Sequence, residues 1–200
     1  NGVVMVDLAR LGEKVKIDIA TARKEFYKYP AALPSVKFSS IKDDLYRRDF
    51  TINAIAVSID KRDFGELVDF FGGLKDLVRK RIRVLHEKSF IDDPTRIFRA
   101  VRFEQRYGFR IDDFTARLIK NAVKAEMFGR VSGERLRAEI ELLLKEKKPI
   151  KAVKRMKSLD ELRFINPKIQ FGLAEERLCG SIVKMTTLYG DYFLEKRPID

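Results

Sequence analysis

"FIDDPTRIFRAVRF", residues 90–103, is the stretch that decides the fold, because a pair of carboxylates and a proline stand directly before a helical pattern. Asp93 is a good N-cap residue and Pro94 suits the first helical position, so a helix is predicted to start here. On a helical wheel the apolar and basic side chains separate into two faces. The apolar face holds Ile97, Phe98, Ala100 and Val101, and the basic face holds Arg96, Arg99, Arg102 and Arg106.

The segments on either side of this stretch predict an α+β fold. Downstream, one helix follows Asp112, one is capped by Ser132, one opens at Pro149 and a last one covers 173–190. Upstream, the sequence predicts two strands joined as a hairpin, a proline-containing loop and two further strand or buried-helix candidates. These segments are 3–8 and 14–21, 29–40, and 51–59 and 66–70. A mixed α/β part is therefore expected over residues 1–84 and an all-helical part over residues 85–200.

Composition narrows the function classes. The chain has 200 residues, 45% of them hydrophobic, and a formal net charge of +12. No apolar run approaches the roughly 18 residues of a membrane span. One cysteine, Cys179, cannot form an internal disulfide, which favours the cytoplasm, and with one histidine it excludes a His/Cys zinc cage. The charge favours a polyanionic partner, with nucleic acid first, although a solvated Lys/Glu surface would give the same balance.

The basic face of the predicted helix has two interpretations. It is either a solvated face of an amphipathic helix or a surface that holds a bound anion. Arginines near a helix N-terminus are disfavoured by the helix dipole, and four on one face repel each other unless an anion lies between them. A triphosphate or an RNA backbone would supply that anion.

Asp93 and Arg96 are three residues apart and can point to one spot. A carboxylate only accepts hydrogen bonds and a guanidinium only donates them. Side by side they match an amine next to a bare ring nitrogen, which cytosine and adenine present and uracil and guanine do not. The alternative is a plain salt bridge at a helix cap, worth about 1 kcal/mol or less.

A second charged segment, "LYRRDFTINA" at residues 45–54, precedes an apolar run. Arg47 and Arg48 suit phosphate oxygens, and Asp49 could accept a ribose hydroxyl or orient an arginine. The alternative is a charged turn at a strand end. Asp18 lies between two lysines on the polar face of a predicted strand, where it could be a metal ligand or an ion-pair partner.

Together these segments resemble the class II nucleotidyltransferases, the family of tRNA CCA-adding enzymes and bacterial poly(A) polymerases. The order and spacing of five motifs carry the resemblance. These are "KIDIATARKEFY" (16–27), "RRDFTINA" (47–54), "LVDFFGGLKDL" (67–77), "DDPTRIFRAVRF" (92–103) and "VSGERLRAEIELLL" (131–144). Asp92 stands where the family usually has Glu, a conservative change.

The resemblance implies roles for individual residues. Asp93 and Arg96 would recognise the incoming base, and Arg99 and Arg102 would support the phosphates or that arginine. The motif at residues 47–54 would contribute Arg47 and Arg48 for phosphate, Asp49 for the ribose, and Asn53. The connector between the two parts would form a hinge from Asp69, Gly72, Gly73 and Asp76.

The resemblance also implies a fold and a reaction. Residues 1–84 would be part of a polymerase-β-like nucleotidyltransferase head with a mixed β-sheet, and residues 85–200 a helical neck and the start of a body domain. The protein would add A, or C and A, from ATP and CTP to the tRNA 3′ end with Mg²⁺. Bacterial poly(A) polymerase is the alternative within the family, and a non-catalytic RNA-binding module is the alternative of another class.

Two family motifs, a Gly-Gly loop and an Asp-x-Asp metal-binding pair, have no counterpart in this sequence. They are expected upstream of Asn1, with Asp18 as a candidate third carboxylate. Alone, the chain is therefore expected to bind nucleotide weakly and to catalyse little. It would be a fragment, or the partner of a chain that carries the missing half.

Overall fold

The computed structural model describes residues 2–8, 13–32, 34–162 and 171–181, with side chains from residue 18 onward except Phe128. The first part of the chain contains β1 (Gly2–Leu8), β2 (Glu13–Ile19), β3 (Arg23–Phe26), β4 (Ser35–Phe38), α1 (Ile41–Tyr46), β5 (Ala56–Val57), β6 (Leu67–Val68), α2 (Gly73–Val78) and β7 (Arg81–Ile82). The second part contains α3 (Ser89–Asp92), α4 (Arg96–Tyr107), β8 (Arg110–Ile111), α5 (Asp113–Lys124), α6 (Gly133–Leu144) and α7 (Pro149–Ser158). Within the described ranges, no helix is both long and apolar enough to cross a bilayer.

The predicted α+β class is confirmed, with the strands arranged as small sheets. The described strands form four two-stranded sheets, of which β1–β2, β3–β4 and β5–β6 are antiparallel and β7–β8 is parallel. The predicted hairpin is confirmed by the pairing of Gly2–Leu8 with Glu13–Ile19. The predicted loop over 29–40 is wrong in part, because Ser35–Phe38 pairs with β3. The segment 51–59, predicted as a strand or a buried helix, contains a 3₁₀ turn at Thr51–Asn53 and the two-residue strand Ala56–Val57.

The later helices begin where their capping residues predict. The Asp112 side chain accepts a hydrogen bond from the N–H of Thr115, and the Ser132 hydroxyl accepts one from the N–H of Arg135. Pro149 is the first residue of α7. Residues 173–181 are helical, and the rest of the predicted helix over 173–190 lies outside the described residues.

The predicted start of α4 is wrong. Asp93 ends the short helix α3 with an extended backbone, φ −141° and ψ 94°, and α4 begins at Arg96. Pro94 and Thr95 form a turn before the regular helix, which places its start two residues later than predicted. The extended backbone of Asp93 suits both a residue before proline and an N-cap residue. Its side chain accepts hydrogen bonds from the N–H and the hydroxyl of Thr95, as a capping side chain does.

One apolar core crosses the predicted boundary at residue 84. It is built mainly from α4, α5, α6 and α7, and its fully buried members include Ile97, Phe98 and Ile119. Phe50, Ile82 and Val84 from the first part of the chain belong to the same core. The parallel pair of β7 and β8 also joins the two parts. Segments around residues 50 and 93 are thereby held against each other, which forms the cleft described next.

Candidate functional site

A cleft of about 420 Å³ lies where β3, the segment after α1, and the helices α4 and α6 meet. Five of the residues predicted to bind nucleotide line it together, although they come from segments almost fifty residues apart. These five are Arg47, Asp49, Asp93, Arg96 and Arg99. Its other charged or phenolic lining residues are Glu25, Tyr27, Arg135 and Glu139.

The charges of the cleft balance. Its lining contains four arginines and four carboxylates. The argument that the arginines of α4 repel each other unless an external anion is bound does not hold, because carboxylates of the chain lie beside them. Their predicted role in nucleotide binding stays a prediction. Arg96 and Arg102 are each only 6% exposed, and Arg99, Arg102 and Arg106 pair with carboxylates of the chain. The cleft suits a ligand with paired donors and acceptors better than a simple polyanion.

Asp93 and Arg96 both line the cleft but have different partners. Oδ1 of Asp93 accepts hydrogen bonds from Thr95 and from Nη2 of Arg135, the latter at 2.9 Å. Arg96 donates from Nη1 to the Ser89 hydroxyl and from Nη2 to the backbone carbonyl of Arg47, at 2.9 and 2.7 Å. Among the described residues, no hydrogen bond ends on Oδ2 of Asp93, and the remaining N–H groups of Arg96 have no recorded acceptor.

Asp49 and Arg99 form a closed pair between the two parts of the chain. Oδ2 of Asp49 accepts from Nε and Nη2 of Arg99, at 2.8 and 2.6 Å, while Oδ1 accepts from the N–H of Phe50 and the side-chain amide of Asn53. Nη1 of Arg99 also lies 3.5 Å from Oε1 of Glu139. Although burial opposes its charge, Asp49 and then Glu139 raise the pKa of Arg99 above its usual value.

Arg47 and its neighbours form the side wall of the cleft. The Arg47 guanidinium donates to Asp44 and to Glu25, at 2.9 Å from Nη2 and Nη1 respectively. Glu25 also accepts a hydrogen bond of 2.8 Å from the hydroxyl of Tyr27. Burial, followed by this hydrogen bond, raises the pKa of Tyr27 well above its usual range. Tyr27 therefore stays a neutral phenol that faces the cleft.

Three predicted nucleotide-binding residues lie outside the lining of the cleft. Arg48 is largely exposed and makes long contacts, 3.4 Å to Asp44 and 3.5 Å to the carbonyl of Asn53. Asn53 orients Asp49 from behind. Arg102 is buried, lies over the ring of Phe103 and approaches Glu139 at 3.4 Å.

The residues of the predicted hinge form one hydrogen-bonded unit. Asp69 accepts from the backbone N–H groups of Gly73 and Leu74, which begin α2, and although burial acts against it, these bonds lower the pKa of Asp69. Gly72 has a left-handed φ of +75°. Gly73 packs so closely that a Cβ atom would lie 2.1 Å from the carbonyl oxygen of Thr51.

Asp76 ties this unit to two other segments of the first part of the chain. Its Oδ2 accepts from the hydroxyl of Thr51 and from Nε of Arg83, each at 2.7 Å. Arg83 also donates to the carbonyl of Phe71 at 2.8 Å. Since Thr51 follows the charged motif at residues 45–50 and Arg83 leads into the helices, Asp76 sits where a hinge role was predicted.

A metal site is not assembled within the described residues. Asp18 is exposed on β2, paired in register with Val3. In the described ranges no three His, Cys, Asp or Glu side chains lie close enough together to hold a metal ion. The residues present therefore do not fit a metal cage by themselves.

Four functional candidates in the cleft were not predicted from the sequence: Glu25, Tyr27, Arg135 and Glu139. Glu25 and Tyr27 alternate on β3 and just beyond it, a spacing that places them on one face of a strand. Arg135 and Glu139 are four residues apart, which places them on one face of α6. Each spacing was visible in the sequence, but nothing local showed that these faces turn toward Asp93 and Asp49.

Comparison with known proteins identifies the class. The family described as "Poly A polymerase head domain" matches residues 5–83. The family described as "Probable RNA and SrmB- binding site of polymerase A" matches residues 108–172. The chain belongs to the family of tRNA nucleotidyltransferases and poly(A) polymerases.

The names of individual relatives refer to tRNA. The chain is 47% identical over 183 residues to an A-adding tRNA nucleotidyltransferase of Geobacter sulfurreducens. This match covers 92% of this chain and 21% of the relative. Among solved structures, the Thermotoga maritima CCA-adding enzyme complexed with tRNA matches with a TM-score of 0.72 and 47% identity, over 76% of this chain and 37% of that one. A CCA-adding enzyme in complex with ATP matches with a TM-score of 0.70 and 49% identity, over 72% of this chain and 35% of that one. The chain thus spans about a fifth of the curated relative and about a third of each solved chain.

Proposed function

We propose that this chain forms part of a tRNA 3′-end nucleotidyltransferase that adds A, or C and A, from ATP and CTP. The reaction transfers a nucleotide to the tRNA 3′ hydroxyl and releases pyrophosphate, without a nucleic-acid template. The observation that carries the proposal is the pair of unused groups in the cleft, Oδ2 of Asp93 and the remaining N–H groups of Arg96. The A-adding relative and the ATP-bound and tRNA-bound structures support the same substrates.

The pair suits adenine and cytosine for a chemical reason. The amine of either base donates to a carboxylate oxygen, and the neighbouring bare ring nitrogen accepts from a guanidinium N–H. Guanine and uracil present an acceptor where Asp93 also offers an acceptor, which leaves two buried lone pairs facing each other. A site built around such hydrogen bonds rejects the wrong partner strongly, because its own polar groups are left unpaired.

The balanced charge of the cleft supports a proposal in which it binds the base and ribose rather than the triphosphate. Among the predicted phosphate ligands, Arg48 is the best placed, since it is exposed and held by long contacts only. Arg47 keeps part of its guanidinium unused and faces the cleft. Arg99 and Arg102 support the site from behind, and Asp49 acts by orienting Arg99 rather than by accepting a ribose hydroxyl.

The proposal includes a metal ion and a cellular setting. Nucleotidyl transfer in this family needs a divalent ion, and we propose Mg²⁺, with Asp18 as one ligand. Because the described residues contain no group of three or more His, Cys, Asp or Glu side chains that could hold a metal ion, the proposal places further ligands in another part of the protein. The single cysteine favours the cytoplasm. Residues 1–84 would be the head portion and residues 85–200 the neck and the start of the body.

A second candidate is a bacterial poly(A) polymerase, which the descriptions of the two matching families favour. The test uses the protein encoded by the complete reading frame, with Mg²⁺ and each labelled nucleoside triphosphate in turn. The RNAs offered are tRNA ending at the discriminator base, at C and at CC, and an unrelated RNA of similar length.

Each result of this test selects one activity. We expect a single A on the CC-ended tRNA, or stepwise completion of CCA on all three tRNAs. A long A tail on every RNA, including the unrelated one, would establish a poly(A) polymerase instead. No addition to any RNA would contradict the proposal and favour a non-catalytic RNA-binding module.

A further inference from the structure

The carboxylate of Asp93 is held on one side only. Its Oδ1 receives three hydrogen bonds, from the N–H and hydroxyl of Thr95 at 3.1 and 2.6 Å and from Nη2 of Arg135 at 2.9 Å. Two of these donors belong to a residue two positions along the chain, whereas Arg135 reaches across from α6. Arg135 is therefore the long-range contact on the proposed base acceptor.

The two oxygens of the Asp93 carboxylate are chemically equivalent, and the terminal torsion of an aspartate side chain is broad, so Thr95 alone fixes the carboxylate plane loosely. Arg135 donates to the same oxygen as Thr95, from the α6 side of the cleft, and so restricts this torsion. With Oδ1 fixed by Arg135, Oδ2 is left for a base in the cleft.

Arg135 is itself held in place by the way α6 lies along α4. Glu139, one turn further along α6, pairs with Arg99 and Arg102, and Glu146 pairs with Arg106. Later arginines along α4 pair with later glutamates in and just after α6, so the two helices run side by side in the same direction. The Ser132 hydroxyl caps the turn from which Arg135 projects. These contacts set the position of Arg135 relative to Asp93.

We infer that Arg135 is a positioning residue for nucleotide selection: it orients Asp93 so that a base edge with an amine is accepted. The inference rests on the proposed function, because it assumes that Asp93 contacts the incoming base. The side chains of Arg135 and Asp93 are 32% and 22% exposed, and an ion pair with that exposure adds little to stability. A loss of selection can therefore be separated from a loss of folding.

The test measures kcat/KM for ATP and for GTP on CC-ended tRNA with the complete enzyme. The variants are Arg135→Ala, Arg135→Lys, Asp93→Ala and the double variant Asp93→Ala/Arg135→Ala. The matched control is Arg137→Ala, since Arg137 lies on the same helix, its side chain is 81% exposed and its salt bridge goes to Glu141.

We expect Arg135→Ala to lower the ATP:GTP ratio about tenfold, the effect of one charge-assisted hydrogen bond, with an unchanged melting temperature. Arg135→Lys should recover part of the ratio, and Arg137→Ala should keep all of it. The double variant should select no worse than Asp93→Ala, because Arg135 acts through Asp93.

Two results would overturn the inference, and they differ in what they say of the proposed function. If Asp93→Ala loses selection while Arg135→Ala keeps it, or if the two effects multiply, Arg135 does not act through Asp93 although the proposed site stands. If Asp93→Ala keeps the full ATP:GTP ratio, the base-recognition role and the inference fail together.

Discussion

The cleft contains two combinations of an aspartate and an arginine, and the structure gives them different contacts. Asp49 and Arg99 bind each other at 2.6 to 2.8 Å, and every oxygen of Asp49 already has a donor. Asp93 and Arg96 both line the cleft, are held by other groups, and do not bind each other among the described contacts. The closed pair joins the two parts of the chain, and the open pair is the one that we propose binds a ligand.

This difference shows that a net charge of +12 does not make the cleft basic. The arginines of α4 do not form a free basic surface, because Asp49, Glu139 and Glu146 neutralise three of them. Under the proposed function, an acceptor on Asp93 and donors on Arg96 would recognise the base. The direction of these hydrogen bonds, rather than total charge, would then decide which base is accepted.

Replacing Arg96 should have the largest effect on the open pair. Arg96→Ala removes the base donor and leaves the Ser89 hydroxyl and the Arg47 carbonyl without a partner. We expect kcat/KM for ATP to fall about 100-fold, and Arg96→Lys to recover little, because one ammonium cannot replace the guanidinium fork. Arg110→Ala, at an exposed position on β8, is the control and should retain full activity. Full activity of Arg96→Ala would contradict the role of Arg96.

Opening the closed pair should lower stability. Asp49→Asn leaves the half-buried Arg99 with a weaker partner, and we expect a loss of about 2 kcal/mol in the free energy of unfolding, below the range for fully buried pairs. Urea denaturation followed by circular dichroism measures it. Asp60→Asn breaks an exposed pair with Arg62 and should change stability by less than about 0.5 kcal/mol. Equal losses in the free energy of unfolding in both variants would show that the Asp49–Arg99 pair stabilises the fold no more than an exposed pair does.

The connector that holds the closed pair in place offers a smaller effect. Gly73→Ala would place a Cβ atom 2.1 Å from the backbone oxygen of Thr51, so the residues after Asp49 must shift. We expect a destabilisation of about 1–2 kcal/mol in thermal unfolding. In Gly133→Ala the new Cβ meets nothing within 4 Å, so no destabilisation is expected. A Gly73→Ala protein as stable as the wild type would show that the connector is not tightly packed.

The smallest expected effect concerns His86, the single histidine of the sequence, whose pKa depends in part on Arg96 of the open pair. Burial, then the charge of Arg96 and that of Lys88, lower the pKa of His86 to about 4. The unfolded state binds a proton below a pH of about 6.5 and the folded state does not, so stability should fall as pH drops from 6.5 toward 4. We expect a contribution of about 1 kcal/mol, reduced by partial exposure.

An NMR titration of the imidazole signals measures this pKa directly. In Arg96→Ala the pKa of His86 should rise toward its ordinary value, because one of the charges that lower it is gone. In Asp49→Asn it should stay near 4. A normal pKa of His86 in the wild-type protein would contradict the burial and charge assigned to this side of Arg96.

The helices after residue 110 could be predicted because their starts are local. Asp112, Ser132 and Pro149 each signal a helix within four residues, and each helix begins there. The start of α4 was predicted two residues too early because the capping signal of Asp93 did not show that Pro94 and Thr95 form a turn before the helix begins at Arg96. Strand β4 was missed because its four residues directly follow Pro34, in a segment with two prolines, and because its pairing partner β3 belongs to another segment.

The cleft could be predicted in part. Arg47, Asp49, Asp93, Arg96 and Arg99 meet there as the motifs indicated. Their partners could not be assigned from the sequence, since Glu139 reaches Arg99 and Arg135 reaches Asp93 from a helix about forty residues downstream. Whether an arginine faces a ligand or a carboxylate of the same chain depends on such contacts.

The most direct test compares the ATP:GTP ratio of kcat/KM in Asp93→Ala and Asp49→Ala, using the complete enzyme and CC-ended tRNA. If Asp93 selects the base and Asp49 only supports the site, Asp93→Ala should lose the ratio while keeping measurable addition of A. Asp49→Ala should slow both nucleotides equally and keep the ratio. A ratio lost in Asp49→Ala and kept in Asp93→Ala would contradict the assignment of the open and the closed pair.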